Sequence, residues 1–222
     1  QNRTEPIEIF GPEGIDEFIA SNIKILNFGL SFPVMITTIQ EEKIVEEKEY
    51  DVFACNSHHG ITSFSYRFQE KDKPGKFFPE KAKSLGIPEG KAWHQLQSGE
   101  SIEINGKTIN PYDVTGEKRN GKNIGISGDT RPTKNLIEFF KNCDYLSFDC
   151  TFSEKLKDRA LETNHSTAKE AAELAKTAKV GTLILTHFSA RYKNENILLD
   201  EAKTVFESTI AAKDLMEIEI QR

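Results

Sequence analysis

The sequence predicts an α/β fold, most clearly in its second half, and three observations lead to this prediction. Apolar runs typical of buried strands lie at residues 123–127, 145–149 and 181–186. Segments with helical spacing of apolar residues separate these runs. Polar residues that favour a turn follow each run. Strands that alternate with helices are typical of a sheet covered by helices. At 222 residues, the expected organisation is a single domain, 1–222, with an insertion.

The first part of the chain is also predicted to mix strands with a helix. Apolar residues recur at helical spacing from Ile15 to Leu26, and aromatic residues alternate along one face of a strand from Phe64 to Phe68. The other elements predicted here are strands at 7–10, 34–39 and 50–55 and a charged edge at 41–48. Further along, Asn105-Gly106 predicts a hairpin within 101–110, and a final edge strand is predicted at 215–220.

Residues 70–99 break this pattern and read as a long loop rich in lysine, proline and glycine, with interleaved aromatic residues. Two interpretations are open: a mobile, solvated insertion, or a protruding arm whose lysines contact phosphates. A basic segment on a chain with a formal net charge of −6 favours the arm. Its candidate RNA-binding residues are Lys71, Lys73, Lys76, Lys81, Lys83 and Lys91.

The composition excludes several classes of protein. The formal charge of −6 argues against nonspecific nucleic-acid binding by the whole surface, so any such contact is local. No apolar run is long enough to span a membrane, and we expect no signal peptide and no membrane contact. The three cysteines lie in apolar, strand-like settings without a CxxC pair. They predict buried, reduced thiols in a cytoplasmic protein, and argue against a thiolate zinc site.

An aspartate and several histidines follow predicted strands. Asp129 lies in a glycine-shaped turn after the strand at 123–127, His187 ends the strand at 181–186, and the pair His58-His59 precedes an aromatic strand. Such residues are the ligands of hydrolytic zinc sites. Taken alone, Asp129 could cap the following helix, and a single histidine is usually structural. Their occurrence together favours a metal site at the strand ends.

Two further residues have both a functional and a structural interpretation. His165 stands just before a helix that opens with the capping box Thr167 to Glu170, where backbone N–H groups attract anions. An imidazole there suits protonation of a leaving oxygen on phosphate, although a capping-region histidine without a role is the alternative. Asp149 either orients a histidine from behind or is an ordinary strand-end residue.

The ordered motifs closely resemble the ribonuclease Z family, the tRNA 3′-end processing endonucleases of the metallo-β-lactamase superfamily. The resemblance covers nearly the whole chain. It implies an αβ/βα sandwich, of which this chain holds the C-terminal two-thirds, with an inserted exosite arm at 70–99. The motifs that carry it are His59-Gly-Ile-Thr-Ser-Phe-Ser-Tyr-Arg67, Glu70-Lys-Asp-Lys-Pro-Gly-Lys76, Ser127-Gly-Asp-Thr-Arg131, Asn164-His-Ser-Thr167 and Leu185-Thr-His-Phe-Ser-Ala-Arg-Tyr192.

The resemblance also implies roles for individual residues. His59 and His187 resemble zinc ligands, Asp129 resembles the carboxylate that bridges two zinc ions, and His165 resembles the histidine that assists at the scissile phosphate. The lysine-rich segment resembles the arm that grips the tRNA elbow. The implied reaction is zinc-dependent removal of the 3′ trailer from precursor tRNA: activated water attacks the phosphodiester and leaves a tRNA 3′-hydroxyl. The family is generally homodimeric.

The sequence departs from the family pattern in one respect, and two alternative functions are therefore considered. The family's His-x-His-x-Asp-His motif, which supplies further zinc ligands, does not occur in this sequence. We expect it in the natural protein, and expect weak zinc binding and no catalysis from a chain that truly lacks it. The alternatives are a phosphodiesterase for small esters or cyclic nucleotides, which has no need of a basic arm, and a non-catalytic tRNA-binding chain, which has no need of the histidines.

Overall fold

The computed structural model describes residues 3–27 and 29–220. The described residues form two compact units, one of residues 3–27, 29–69 and 123–217 and the other of residues 70–122 and 218–220. The first unit contains every residue that the strand-end pattern singled out. The insertion expected at 70–99 thus lies within a longer compact segment.

The strands and helices are given in chain order. Up to residue 114 they are β1 (Ile7–Gly11), α1 (Ile15–Ile25), β2 (Val34–Thr38), β3 (Glu42–Glu46), β4 (Tyr50–Asn56), β5 (Phe64–Glu70), α2 (Pro79–Ser84), α3 (Lys91–Gln97), β6 (Ile102–Ile104), β7 (Lys107–Ile109) and α4 (Pro111–Val114). After it they are β8 (Asn123–Ile126), α5 (Lys134–Phe139), β9 (Tyr145–Asp149), a 3₁₀ turn (Glu154–Leu156), α6 (Lys157–Thr163), α7 (Ala168–Thr177), β10 (Thr182–Thr186), α8 (Asn196–Lys203) and β11 (Thr209–Ala211).

A seven-stranded mixed sheet organises the first unit, with the order β11-β10-β9-β8-β5-β4-β3. Strands β8, β9, β10 and β11 run parallel to one another. On its other side, β8 pairs with β5 in the antiparallel sense. The alternation of strands and helices predicted for the second half is confirmed. The predicted edge strand at 215–220 is wrong, because the sheet ends instead at β11, where Leu183 pairs with Thr209. Leu215 is fully exposed.

Helices α5, α7 and α8 contribute to the main core, together with β9 and β10. Helix α7 begins with the predicted capping box, in which the Thr167 side chain accepts a hydrogen bond from the Glu170 N–H. Its alanine face allows close packing, since small side chains let the helix approach the sheet. This cluster includes the fully buried Leu136, Phe140, Leu146, Phe148, Ala168, Ala171, Ala172, Ala175, Leu183, Leu185, Leu198 and Ala202.

The second unit has a small core of its own and is not the long loop that the sequence predicted for 70–99. Helices α2 and α3 occupy part of that range, and Ala82, Ile87 and Leu96 pack with Val114 from α4. The loop prediction failed because both helices are short, so their apolar residues show no sustained helical period. The hairpin predicted at Asn105-Gly106 is confirmed by the pairing of β6 with β7.

Candidate metal centre

Three parallel strands end at one edge of the sheet and bring three of the singled-out residues to the same place. Asp149 is the last residue of β9, and it is paired with Thr186, the last residue of β10. His187 follows directly, and Asp129 lies three residues beyond the end of β8. Because the carboxyl ends of parallel strands share an edge, side chains far apart in sequence meet there.

The turns that follow β8 and β10 need backbone conformations that most residues avoid. Gly128 has a φ of 61°, which glycine adopts without steric cost. His187 has the same φ of 61°, although it carries a side chain. A histidine held in the left-handed region costs on the order of 1 kcal/mol or more, so the surrounding structure must hold it there. The turns direct Asp129 and His187 towards each other.

The turn between β4 and β5 brings His59 to the same edge. The backbone of His58 donates to Thr130 Oγ1 at 2.9 Å and accepts from the Arg131 N–H at 3.0 Å. These two bonds tie the His58-His59 turn to the segment that carries Asp129. Gly60, with a φ of 79°, then allows the chain to turn into β5.

The resulting cluster is compact. Asp129 Oδ2 lies 3.3 Å from His187 Nε2 and 3.8 Å from His59 Nε2. His165 lies between the two other imidazoles, with ring centroids 4.7 Å from His59 and 4.9 Å from His187. One ligand atom from each of His59, Asp129 and His165 lies within 4.8 Å of the others. The structure therefore brings together all four residues that the sequence proposed for the site.

Asp149 lies beneath this cluster with no solvent exposure. Its Oδ2 accepts from the Thr130 N–H at 3.0 Å and contacts His165 Nδ1 at 2.7 Å. Its Oδ1 accepts from the N–H and the hydroxyl of Thr151, at 2.9 and 2.7 Å. Four donors compensate the cost of burying this carboxylate. Of the two interpretations from the sequence, the geometry favours a carboxylate that orients a histidine.

The arrangement of donor atoms fits a bound cation. His59 Nδ1 pairs with the Asn164 carbonyl at 3.1 Å, so it carries a proton, and Nε2 presents a lone pair in the neutral ring. That Nε2 faces the Asp129 carboxylate, as does Nε2 of His187. Lone pairs and a carboxylate that converge repel each other unless a proton or cation lies between them. Imidazole nitrogen and carboxylate oxygen are common zinc ligands.

Arg131 and Glu170 form an ion pair behind the site that the sequence did not reveal. Their side chains are 12% and 9% exposed, and Arg131 Nη1 donates to Glu170 Oε2 at 2.7 Å, while Nη2 donates to Oε1. Arg131 Nη1 also donates to the His165 carbonyl at 2.5 Å. Burial raises the pKa of Glu170, but the bonds from Arg131 and the Thr167 N–H outweigh it, and the net pKa is lowered. The pair joins the Asp129 segment to the His165 loop.

The cysteines take no part in this centre. All three are free and buried, which confirms the sequence prediction of buried thiols. Burial raises the pKa of Cys143 to about 11, and burial with a hydrogen bond to Glu41 raises the pKa of Cys55 to about 12. Burial also raises the pKa of Cys150. Because only the thiolate is a good metal ligand, these residues do not support a thiolate site.

The candidate RNA-binding lysines all lie in the second unit. Lys76, Lys81, Lys83 and Lys91 are exposed, whereas Lys71 and Lys73 are half-buried. Lys83 Nζ lies 3.5 Å from a Glu89 carboxylate oxygen, and Lys73 Nζ lies 2.9 Å from one of Glu70. Residues 70–122 contain ten lysine and arginine residues against eight aspartate and glutamate residues. This segment is therefore net positive within a chain of net charge −6.

Comparison with known proteins identifies close relatives. No family model matches the sequence. A ribonuclease Z from Nitrosopumilus maritimus is 61% identical over 221 residues, which cover 100% of this chain and 74% of the relative. A ribonuclease Z from Bacillus licheniformis is 38% identical over 220 residues, which cover 98% of this chain and 72% of the relative.

Solved structures show the same fold. The short form of human tRNase Z gives a TM-score of 0.66 at 21% identity, with 99% of this chain and 70% of that one covered. The metallo-β-lactamase fold protein YhfI from Bacillus subtilis gives a TM-score of 0.57 at 16% identity, with 93% of this chain and 61% of that one covered. Zn(2+)-bound PqqB from Methylobacterium extorquens gives a TM-score of 0.54 at 13% identity, with 97% of this chain and 65% of that one covered. The expected metallo-β-lactamase fold is thus confirmed. Across the described residues, every helix falls short of the length and apolarity that crossing a membrane requires.

Proposed function

The chain belongs to the ribonuclease Z family, and we propose that it removes the 3′ trailer from precursor tRNA by hydrolysis of one phosphodiester bond. The observation that carries this proposal is the convergence of His59, Asp129, His165 and His187 over the buried Asp149. A chain that only binds RNA has no use for such a set. Hydrolysis by activated water leaves a 3′-hydroxyl on the tRNA and a 5′-phosphate on the trailer.

The metal that suits this centre is zinc, with two ions in the complete site. His59 and His187 would offer Nε2, and Asp129 would offer its carboxylate between them. Zinc held by these residues would supply activation of water for attack and compensation of negative charge on the phosphate. The contacts at each Nδ1 support this assignment, because they leave Nε2 of both rings available.

His165 is proposed to act at the leaving oxygen. Asp149 holds its ring by Nδ1 at 2.7 Å, which leaves Nε2 as the atom that gives a proton to the departing 3′ oxygen of the tRNA as the bond between phosphorus and that oxygen breaks. The ring is only 14% exposed, so water has limited access to it. Arg131 holds the His165 carbonyl, which fixes the loop as well as the ring.

The test uses precursor tRNA labelled at its 5′ end, with the products mapped to the nucleotide. We expect cleavage between the tRNA body and its trailer, with a 3′-hydroxyl on the tRNA. His165→Ala is expected to lower turnover roughly 10²–10⁴-fold, the usual contribution of a general acid, and to leave tRNA binding nearly unchanged. Asp16→Asn, at an exposed residue of α1 outside the segment 70–122, is the control. Equal losses of turnover and binding in His165→Ala would argue against the proposed role.

The net positive segment 70–122 is proposed to contact the RNA, through the exposed Lys76, Lys81, Lys83 and Lys91 with Lys71 and Lys73. Lysines that neutralise phosphates make affinity fall with salt, so replacing them with glutamine should weaken tRNA binding and reduce its salt dependence. Hydrolysis of a small phosphodiester should not change, and this separates an RNA-processing enzyme from an esterase for small substrates. We also propose that the protein acts as a homodimer in the cytoplasm. Light scattering tests the dimer.

A further inference from the structure

Thr151 connects the buried carboxylate of Asp149 to the ring of His187. It follows β9 by two residues and is 6% exposed. Its hydroxyl donates to Asp149 Oδ1 at 2.7 Å, and the hydroxyl oxygen, Thr151 Oγ1, lies 2.8 Å from His187 Nδ1. The Thr151 carbonyl accepts from the Ser189 N–H at 3.2 Å, so backbone and side chain both fasten the His187 turn.

The number of protons fixes the direction of these bonds. A threonine hydroxyl carries a single proton, and here that proton goes to Asp149. Towards His187, Thr151 Oγ1 can therefore only accept, so His187 Nδ1 must carry a proton. In the neutral ring Nε2 then keeps its lone pair, and that atom lies 3.3 Å from Asp129 Oδ2.

His187 needs such an anchor. Its side chain is 45% exposed, and its backbone has a φ of 61°. A direct bond to the buried carboxylate is too long, because Asp149 Oδ1 lies 4.0 Å from His187 Nδ1. The ring stacks on His165 with an interplanar angle of 20°, which restrains its plane but does not decide which nitrogen carries the proton.

We propose that Thr151 is a positioning residue that holds His187 in the Nδ1-protonated form, with Nε2 aimed at the Asp129 carboxylate. The expected effect on metal binding rests on the proposed function. The assignment of the His187 proton to Nδ1 does not, because it follows from the two hydrogen bonds of Thr151 alone. Asp149 thereby supports two histidines, His165 directly and His187 through one hydroxyl. Partners that orient a metal-binding histidine in this way typically contribute roughly 10–100-fold to metal affinity.

The test compares Thr151→Val, which removes the hydroxyl and keeps the shape, with Thr151→Ser, which keeps the hydroxyl. Thr108→Val, at an exposed threonine of β7, is the matched control. Long-range ¹H–¹⁵N correlation spectra of metal-free protein report which ring nitrogen of His187 carries the proton. Competition with a chromophoric chelator reports zinc affinity. Both measurements use the intact fold, which circular dichroism verifies for each variant.

We expect the Nδ1-protonated form in the wild-type and Thr151→Ser proteins, and its loss in Thr151→Val. Zinc affinity should fall roughly 10–100-fold in Thr151→Val. It should change little in Thr151→Ser and not at all in Thr108→Val. A wild-type His187 protonated at Nε2, or a Thr151→Val spectrum identical to wild type, would overturn the proposal. If the tautomers behave as expected but wild type binds no zinc, the role of Thr151 is supported and the metal centre of the proposed function fails.

Discussion

Asp129→Asn is expected to lower pre-tRNA cleavage by on the order of 10³-fold or more, since metal-assisted stabilisation is worth several kcal/mol and each 1.36 kcal/mol is tenfold in rate. Asparagine keeps the shape of the side chain and removes its charge. That charge lies between Nε2 of His187, at 3.3 Å, and Nε2 of His59, at 3.8 Å. Single-turnover cleavage with saturating enzyme measures the loss.

The same substitution should leave the fold intact. Asp129 is 41% exposed, and the structure shows it accepting no protein hydrogen bond within residues 3–27 and 29–220. Surface substitutions of this kind usually change the free energy of unfolding by within about 0.5 kcal/mol. Asp16→Asn, at an exposed carboxylate in the first turn of α1, is the control. Wild-type cleavage by Asp129→Asn would exclude this carboxylate from the chemistry.

Arg131→Met is expected to cost about 3–5 kcal/mol in the free energy of unfolding, because it leaves the buried Glu170 carboxylate with only the Thr167 N–H at 3.0 Å and the exposed Lys157 Nζ at 3.9 Å. The two side chains are 12% and 9% exposed. The double variant Arg131→Met/Glu170→Met should recover much of this loss, since no buried charge then remains. Urea denaturation of wild type, Arg131→Met, Glu170→Met and the double variant gives the coupling between the two residues. A loss in the double variant equal to the sum of the two single losses would show that the pair is not coupled.

This ion pair should also give a defined pH dependence. Glu170 has a pKa lowered from the ordinary value of 4.5 in the folded protein. A carboxyl group whose folded pKa lies below its unfolded pKa stabilises the fold above the unfolded value, and this contribution is lost as pH falls through the folded pKa. The stability difference between wild type and Glu170→Gln should therefore be constant near neutral pH and shrink below about pH 4.5. Denaturation curves across that range test the sign.

In the double variant Arg131→Met/Glu170→Met, turnover and the free energy of unfolding should respond differently. Arg131 also donates to the His165 carbonyl at 2.5 Å, so the double variant recovers stability but not this bond. We therefore expect turnover to stay below wild type in the double variant, while the free energy of unfolding largely returns. A double variant with full turnover would show that the His165 loop does not depend on Arg131.

The proximity of the candidate site residues was predictable from the sequence where they follow parallel strands. Asp129 and His187 follow β8 and β10, and such strands end at a common edge, so their proximity follows from the pattern itself. His59 comes from a turn between antiparallel strands, so this argument does not apply to it, and the motif resemblance is what marked it rather than His58 as a ligand. The capping box at Thr167 was predictable because it depends on residues three apart in sequence.

The supporting contacts were not predictable in the same way. Arg131 and Glu170 are 39 residues apart, with the strand β9 and the helices α5 and α6 between them. Thr151 lies 36 residues from His187. Periodicity reports which face of one element is buried, but it carries no information on a hydrogen bond between two loops. Asp-x-Thr after a buried strand is a local signal for the Asp149–Thr151 bond, although it does not reveal the histidine beyond it.

The most direct test of the metal centre is the zinc content of the purified protein, measured by elemental analysis for wild type and Asp129→Asn side by side. The account predicts zinc in wild type and a large reduction in Asp129→Asn, with both proteins folded. Asp16→Asn should retain the wild-type content. No zinc in wild type, or equal zinc in wild type and Asp129→Asn, would contradict the proposal that Asp129 holds metal together with His59 and His187.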